Sequence, residues 1–165
     1  MKHAAPRTTS PLKTSLVFCA IALGWVAFDR ATKLYADTHE VGETFVSNVL
    51  GLFDFTLVHN TGAAWGIFGD STMPLGVFSL VVCLAILWYV FGFRHARARL
   101  IESVPLAFVF AGGVGNAVDR LSLGYVIDFI RTTFIDFPVF NVADIGVTCG
   151  VIVFMIVLFT SLREG

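Results

Sequence analysis

The sequence predicts a membrane α-helical protein: four transmembrane helices with a small extracytoplasmic β region between the first two. Three observations predict it. Hydrophobic residues make up 56% of the 165-residue chain and charged residues only 14%, against roughly 25% charged in a soluble domain. The mean hydropathy is +0.82. The apolar residues gather into four runs, 14–28, 74–93, 104–118 and about 139–160, with cations concentrated in alternate gaps. The chain is short enough to read as one membrane domain over 1–165.

The first run follows Lys2, Arg7 and Lys13, like the charged head of a signal peptide. No small-residue cleavage site follows; Asp29-Arg30 comes instead, so a retained span is expected. A span needs about 20 residues. The first and third runs must therefore continue through polar residues, 29–33 and 116–120. That gives spans of about 14–33, 74–93, 100–120 and 139–160. Between the first two lies a stretch, about 42–68, rich in β-branched and aromatic residues. It is punctuated by Asn48, Gly51, Asn60-Thr61-Gly62 and Gly66, which reads as short strands and a hairpin. Phe53, Phe55 and Leu57 alternate with Asp54 and Thr56. The resulting apolar face is expected to rest on the lipid surface.

Cations orient the spans. Lys2, Arg7 and Lys13, then Arg94, Arg97 and Arg99, then Arg163 fall on one side of a four-span chain. That side is expected to be cytoplasmic, with both termini. Residues 29–73 carry Arg30 and Lys33 against Asp29, Asp37, Glu40, Glu43, Asp54 and Asp70, and belong outside with 119–144. Cys19, Cys83 and Cys149 all lie in apolar runs, so they read as small hydrophobes rather than a disulfide framework or metal site. Trp25, Trp65 and Trp88 are expected near the membrane interfaces, with Trp65 in the β region able to touch substrate.

The chemistry-bearing residues collect at the outer ends of the spans. Asp128, in Tyr125-Val126-Ile127-Asp128-Phe129, and Asp144, in Phe140-Asn141-Val142-Ala143-Asp144, are carboxylates at an apolar boundary. Acids at such depth are costly and point to function. Desolvation raises their pKa, and a close pair would share one proton and activate water. Asp29 and Lys33 share a helix face, either as a snorkelling interfacial pair or as residues that orient the acids' surroundings. Asn116 and Arg120 are four apart and could meet a substrate carbonyl or a carboxylate. Asp119, beside Arg120, reads as a structural partner, and Asn60 and Asn141 as residues that hold the substrate backbone or the acids. On residue types alone a small proton-coupled transporter stays open, although it places its charges near the midplane. A membrane assembly factor leaves the acid pair unexplained. A metal enzyme using His59 and the acids lacks the two-histidine helical motif. No cofactor or metal is expected.

The chain resembles the lipoprotein signal peptidase family, also called signal peptidase II, over nearly all its length after the first dozen residues. The resemblance rests on five motifs in the family's order. These are Asp29-x-x-x-Lys33, His59-Asn60-Thr61-Gly62-Ala63-Ala64, Gly115-Asn116-x-x-Asp119-Arg120, Val126-Ile127-Asp128-Phe129 and Phe140-Asn141-x-Ala143-Asp144. It implies an aspartyl endopeptidase of the bacterial inner or plasma membrane, with its site at the extracytoplasmic face. Such an enzyme removes signal peptides from prolipoproteins just before a diacylglyceryl-modified cysteine. It implies a catalytic dyad at Asp128 and Asp144. Asn60, Asn116, Arg120 and Asn141 would line the site, with Asp29 and Lys33 as a nearby polar pair and Asp119 as a supporting acid. It also implies a small β-cradle. The expected partners are prolipoprotein and membrane lipid, without nucleic acid, for a monomer. One departure is Arg30, where the family commonly has glutamine.

Overall fold

A computed structural model describes residues 10–62, 72–93 and 99–163. Lys2, Arg7, Trp65, Gly66, Asp70, Arg94 and Arg97, and the end of the expected β region, lie outside the described residues. Helix α1 spans Pro11–Ala36. Ser10 caps it by accepting the Lys13 N–H at 3.2 Å, and Pro11 takes the first position, where no N–H is needed. It continues through Asp29–Lys33, as the short apolar run required. Helix α2, Thr72–Leu87, ends in a π-helical turn, Trp88–Phe93. Helices α3, Leu100–Ser122, and α4, Val142–Arg163, complete four helices long and apolar enough to cross a membrane.

Helix α3 is the centre. Its most apolar stretch is 61% buried, against 17–28% in the other three, and it packs on α1, α2 and α4. Leu23, Phe78, Leu84, Ile156 and Phe159 point outward, as lipid-facing side chains do. Close approach of α3 and α4 depends on glycine. A Cβ on Gly112 would collide with the Ala143 carbonyl, and one on Gly150 would lie 2.7 Å from the Pro105 carbonyl. Phe18, Ala22, Ile86, Val90, Leu106 and Ala111 fill the core at the far end of the bundle.

At the near end stands an antiparallel sheet in the order β1-β2-β3. Strands β1, Thr44–Val49, and β2, Phe53–Asn60, form the expected hairpin around Gly51, whose φ of 72° suits glycine. The third strand, β3, Val126–Thr132, comes from the connection between α3 and α4 and pairs with β2. The β region therefore does not belong to the α1–α2 segment alone. Val126–Ile130 is wholly buried, so β3 lacks the polar alternation that marks a half-exposed strand. Asp128 consequently sits within a strand and not at a helix end.

Two further expectations are corrected. Phe53, Phe55 and Leu57 do not rest on lipid; they close over a second core with Ala36, Ile127, Phe129 and Val142. Trp25 is not an interface anchor. It packs edge-on to Phe28 and Phe108 with its indole against Gly146. Trp88 is 64% exposed at the end of α2, where an anchor belongs. Gly112→Ala should destabilise the protein by about 1–3 kcal/mol through overpacking. Gly24→Ala, with open space around its Cβ, should not. Thermal unfolding of both variants in detergent checks this; equal melting temperatures would contradict the packing.

Candidate active site

The site begins with a charge that cannot reach water. Lys33 is fully buried near the end of α1. Its ammonium has three hydrogens and three acceptors: Asp29 Oδ2 at 3.0 Å, Asp119 Oδ2 at 2.9 Å and Asn116 Oδ1 at 3.0 Å. The Asp29–Lys33 pair is thus a buried joint, not a snorkelling one. Each acceptor reaches onward. Asp29 Oδ1 accepts the Ala143 N–H at 2.8 Å, which ties α1 to the start of α4. Asp119 takes Arg30 at 3.3 Å and, at 3.4 Å, the Ile127 N–H of β3. Its cations are therefore Lys33 and Arg30, not the adjacent Arg120. Arg30, the departure from the family pattern, balances the second acid from a half-exposed position.

Asn116 passes the ordering to the first of the two acids. Its Nδ2 donates to Asp144 Oδ1 at 2.7 Å. Asn141 joins both acids. Its Nδ2 donates to Asp128 Oδ1 at 2.6 Å and to Asn116 Oδ1 at 3.0 Å. Its Oδ1 accepts the Asp144 N–H at 3.0 Å, while its own N–H donates to Asp144 Oδ2 at 3.1 Å. The last two bonds form a capping box at the start of α4, with Asn141 as the cap and Asp144 three residues on. The capping residue and its acid are thus also the site residues. Asn141-x-x-Asp144 carries that signal in the sequence, where it went unread as a cap.

Asn60, the last residue of β2, holds Asp128 from the other side, donating to Oδ2 at 2.8 Å. The β2–β3 register, Val58 opposite Asp128 and Asn60 opposite Val126, puts both side chains on one face of the sheet. Asp128 is 2% exposed. Burial, and then the neighbouring Asp144 carboxylate, push its carboxyl up to about 7, although the Asn60 and Asn141 donors pull the other way.

Asp128 and Asp144 line one open cavity of about 410 Å³ together with Asn60 and Arg120. The Arg120 Nε is buried there without a partner among the described residues. The remaining wall is mostly apolar: Val126, Phe137, Val139, Phe140 and Ile145, reaching down α4 to Thr148 and Cys149. Thr148 and Cys149 were not anticipated; they lie four residues beyond Asp144 and Ile145, a helical spacing that could have revealed them. Cys19 is exposed, and Cys83 is buried against Gly113. His59 pairs with Asp37 at 2.9 Å and stacks on Tyr125. Asp29, Lys33, Asn60, Asn116, Asp119, Asp128, Asn141 and Asp144 thus form one continuous hydrogen-bonded assembly, with Arg120 beside it on the cavity wall.

Known proteins carry the same arrangement of chain. The lipoprotein signal peptidase of Parasynechococcus marenigrum strain WH8102 is 40% identical over 136 residues, covering 82% of this chain and 84% of that protein. The lipoprotein signal peptidase of Staphylococcus aureus strain JH9 is 36% identical over 141 residues, covering 84% and 85%. Two solved structures, both described as a bacterial membrane enzyme obtained by the in meso method, share the fold at 33% identity. The 2.3 Å structure superposes with a TM-score of 0.80 over 89% of this chain and 90% of its own. The 1.9 Å structure gives 0.74 over 86% and 91%. Residues 21–160 match the family described as Signal peptidase (SPase) II, a stretch that holds every residue of the polar assembly. The chain is a multi-pass membrane peptidase and belongs to the signal peptidase II family.

Proposed function

We propose that this protein removes signal peptides from bacterial prolipoproteins by an aspartyl mechanism, cutting just before a diacylglyceryl-modified cysteine. One observation carries the mechanism: a single residue, Asn141, donates to both carboxyls on the wall of one cavity, to Asp128 through its side-chain amide and to Asp144 through its backbone N–H. The names of the relatives support the substrate class. An apolar wall continuing down α4 suits a substrate that is itself a lipidated membrane segment. A proton-coupled transporter is disfavoured because the polar assembly sits at one end of the helices and not at their middle.

In this reading Asp128 holds the shared proton and Asp144 is the ionised partner. Two N–H donors and the N-terminus of α4 face the Asp144 carboxylate, an environment complementary to negative charge. Asp144 takes a proton from water as the water oxygen bonds to the scissile carbonyl carbon. Asp128 gives its proton to the carbonyl oxygen, forming a gem-diol. Protonated Asp144 then passes its proton to the leaving nitrogen and the C–N bond breaks. Asp128 recovers a proton from the diol, which restores the resting pair. Arg120 holds a substrate carbonyl in this reading, supported by its Nε–H, which lacks a partner among the described residues.

The whole chain forms one unit, with its termini and Lys13, Arg99 and Arg163 on the cytoplasmic side and the sheet outside. The active site then lies at the extracytoplasmic face of the bacterial inner or plasma membrane. In this reading its partners are prolipoprotein substrate and membrane lipid, and it acts as a monomer.

Purified protein given a diacylglyceryl-modified prolipoprotein should release a fragment ending just before the lipidated cysteine. Asp128→Asn and Asp144→Asn should each abolish cleavage while the melting temperature in detergent is retained. Because Asp128 must keep its proton to act, kcat should fall as pH rises through about 7, where Asp128 loses it. Cleavage that survives either substitution, or a kcat flat across about pH 6 to 9, would contradict the dyad. For the orientation, an impermeant thiol reagent applied outside the cell should label Leu50→Cys in the β1–β2 turn and not Arg163→Cys. The reverse pattern would invert the topology.

A further inference from the structure

Asn60 is the one strand residue, among the described residues, whose side chain hydrogen-bonds an acid of the pair. It is also the last residue of its strand, a place where pairing ordinarily frays. What holds it there lies on the opposite face of the sheet. His59, one residue earlier, sends its Nε2 to Asp37 Oδ1 at 2.9 Å. Asp37 caps the C-terminus of α1, its N–H bonded to the carbonyl of Lys33 at 2.9 Å. The His59 ring also lies flat on Tyr125, with centroids 3.9 Å apart and planes 15° from parallel. Tyr125 immediately precedes β3, which carries Asp128. His59 thus fastens the end of β2 to α1 and to the entry of β3. On the other face, Asn60 is held by the Gly62 N–H on its Oδ1 at 3.0 Å, and its Nδ2 is aimed at Asp128.

We propose that His59, clamped by Asp37 and Tyr125, is a positioning residue that holds the Asn60 amide on Asp128. The inference rests on the dyad reading above and adds a residue whose side chain lies outside the cavity and touches no reacting atom. A purely structural role would alter stability alone. A positioning role also alters the titration of Asp128. The charged and polar groups around that carboxyl are Asp144 from α4, Lys33 from α1 and Arg120 from α3, with Asn60 and Asn141 as its donors. The Asn60 donor favours the ionised carboxylate, so loosening it leaves the proton on Asp128 to higher pH.

The test measures kcat, KM and the kcat–pH profile on lipidated prolipoprotein for His59→Ala, His59→Gln, Asp37→Ala and Asn60→Ala. His59→Ala and Asp37→Ala should lower kcat roughly tenfold, the scale of a misplaced catalytic contact, with little change in KM. In both, the alkaline limb should move to higher pH, in the same direction as in Asn60→Ala. His59→Gln, which can still donate to Asp37, should recover most of the wild-type limb. A limb that moves in Asn60→Ala but not in His59→Ala overturns the positioning role, whatever happens to the melting temperature. A limb that moves in neither overturns the dyad reading and this inference with it.

Discussion

The buried ammonium of Lys33 is the constraint from which the rest of the site follows. A lysine with no access to water is tolerable only if every N–H finds an acceptor and its charge is matched. Removing one member of such a buried set costs about 3–5 kcal/mol. Here α1 supplies Asp29, and α3 supplies Asp119 and Asn116. These acceptors in turn hold Ala143 at the start of α4, Ile127 in β3, and Asp144. One charge therefore fixes the relative positions of three helices and a strand. Glycine permits the geometry, since Gly112 and Gly115 sit where a side chain would collide with Ala143 and Asp29.

That arrangement sorts four buried or half-buried acids into two kinds. Asp29 and Asp119 are bound to cations, Lys33 and Arg30, and are spent on structure. Asp128 and Asp144 receive amide and backbone donors, and neither has a salt bridge among the described residues. Neutral donors orient these two carboxyls without the full charge that holds Asp29 and Asp119 in ion pairs. Asn141 links the two kinds through Asn116 and also caps α4. The geometry of the pair is thereby tied to the capped start of α4.

Much of this was legible in the residues. The four spans followed from hydropathy and length, and the extension of α1 through Asp29–Lys33 followed because its apolar run was too short. The hairpin before Asn60 followed from β-branched and aromatic content broken by Asn48 and Gly51. Strand β3 did not. Buried on both faces, it lacks alternation, and its partner strand lies some seventy residues away. The burial of Lys33 was equally hidden, because i and i+4 spacing describes a snorkelling pair as well as a core joint. Sequence adjacency pairs Asp119 with Arg120, but the helix turns the two side chains apart, toward Lys33 and toward the cavity. Trp25 looked like an anchor from its place in a span, but Gly146 opened a slot for it in the bundle. Local pattern reported the elements, and long-range polar pairing decided what they hold.

If this frame makes Asp128 and Asp144 one proton-sharing pair, the proton itself can be observed. Isotope-edited infrared spectroscopy of the detergent-purified protein, with labelled aspartate, resolves a protonated carboxyl from ionised ones. A proton-sharing pair gives a single buried carboxylic acid band at slightly acid pH that titrates near 7 and is absent from Asp128→Asn. A spectrum with every aspartate ionised from about pH 6 upward, or an acid band that persists unchanged in Asp128→Asn, would contradict it.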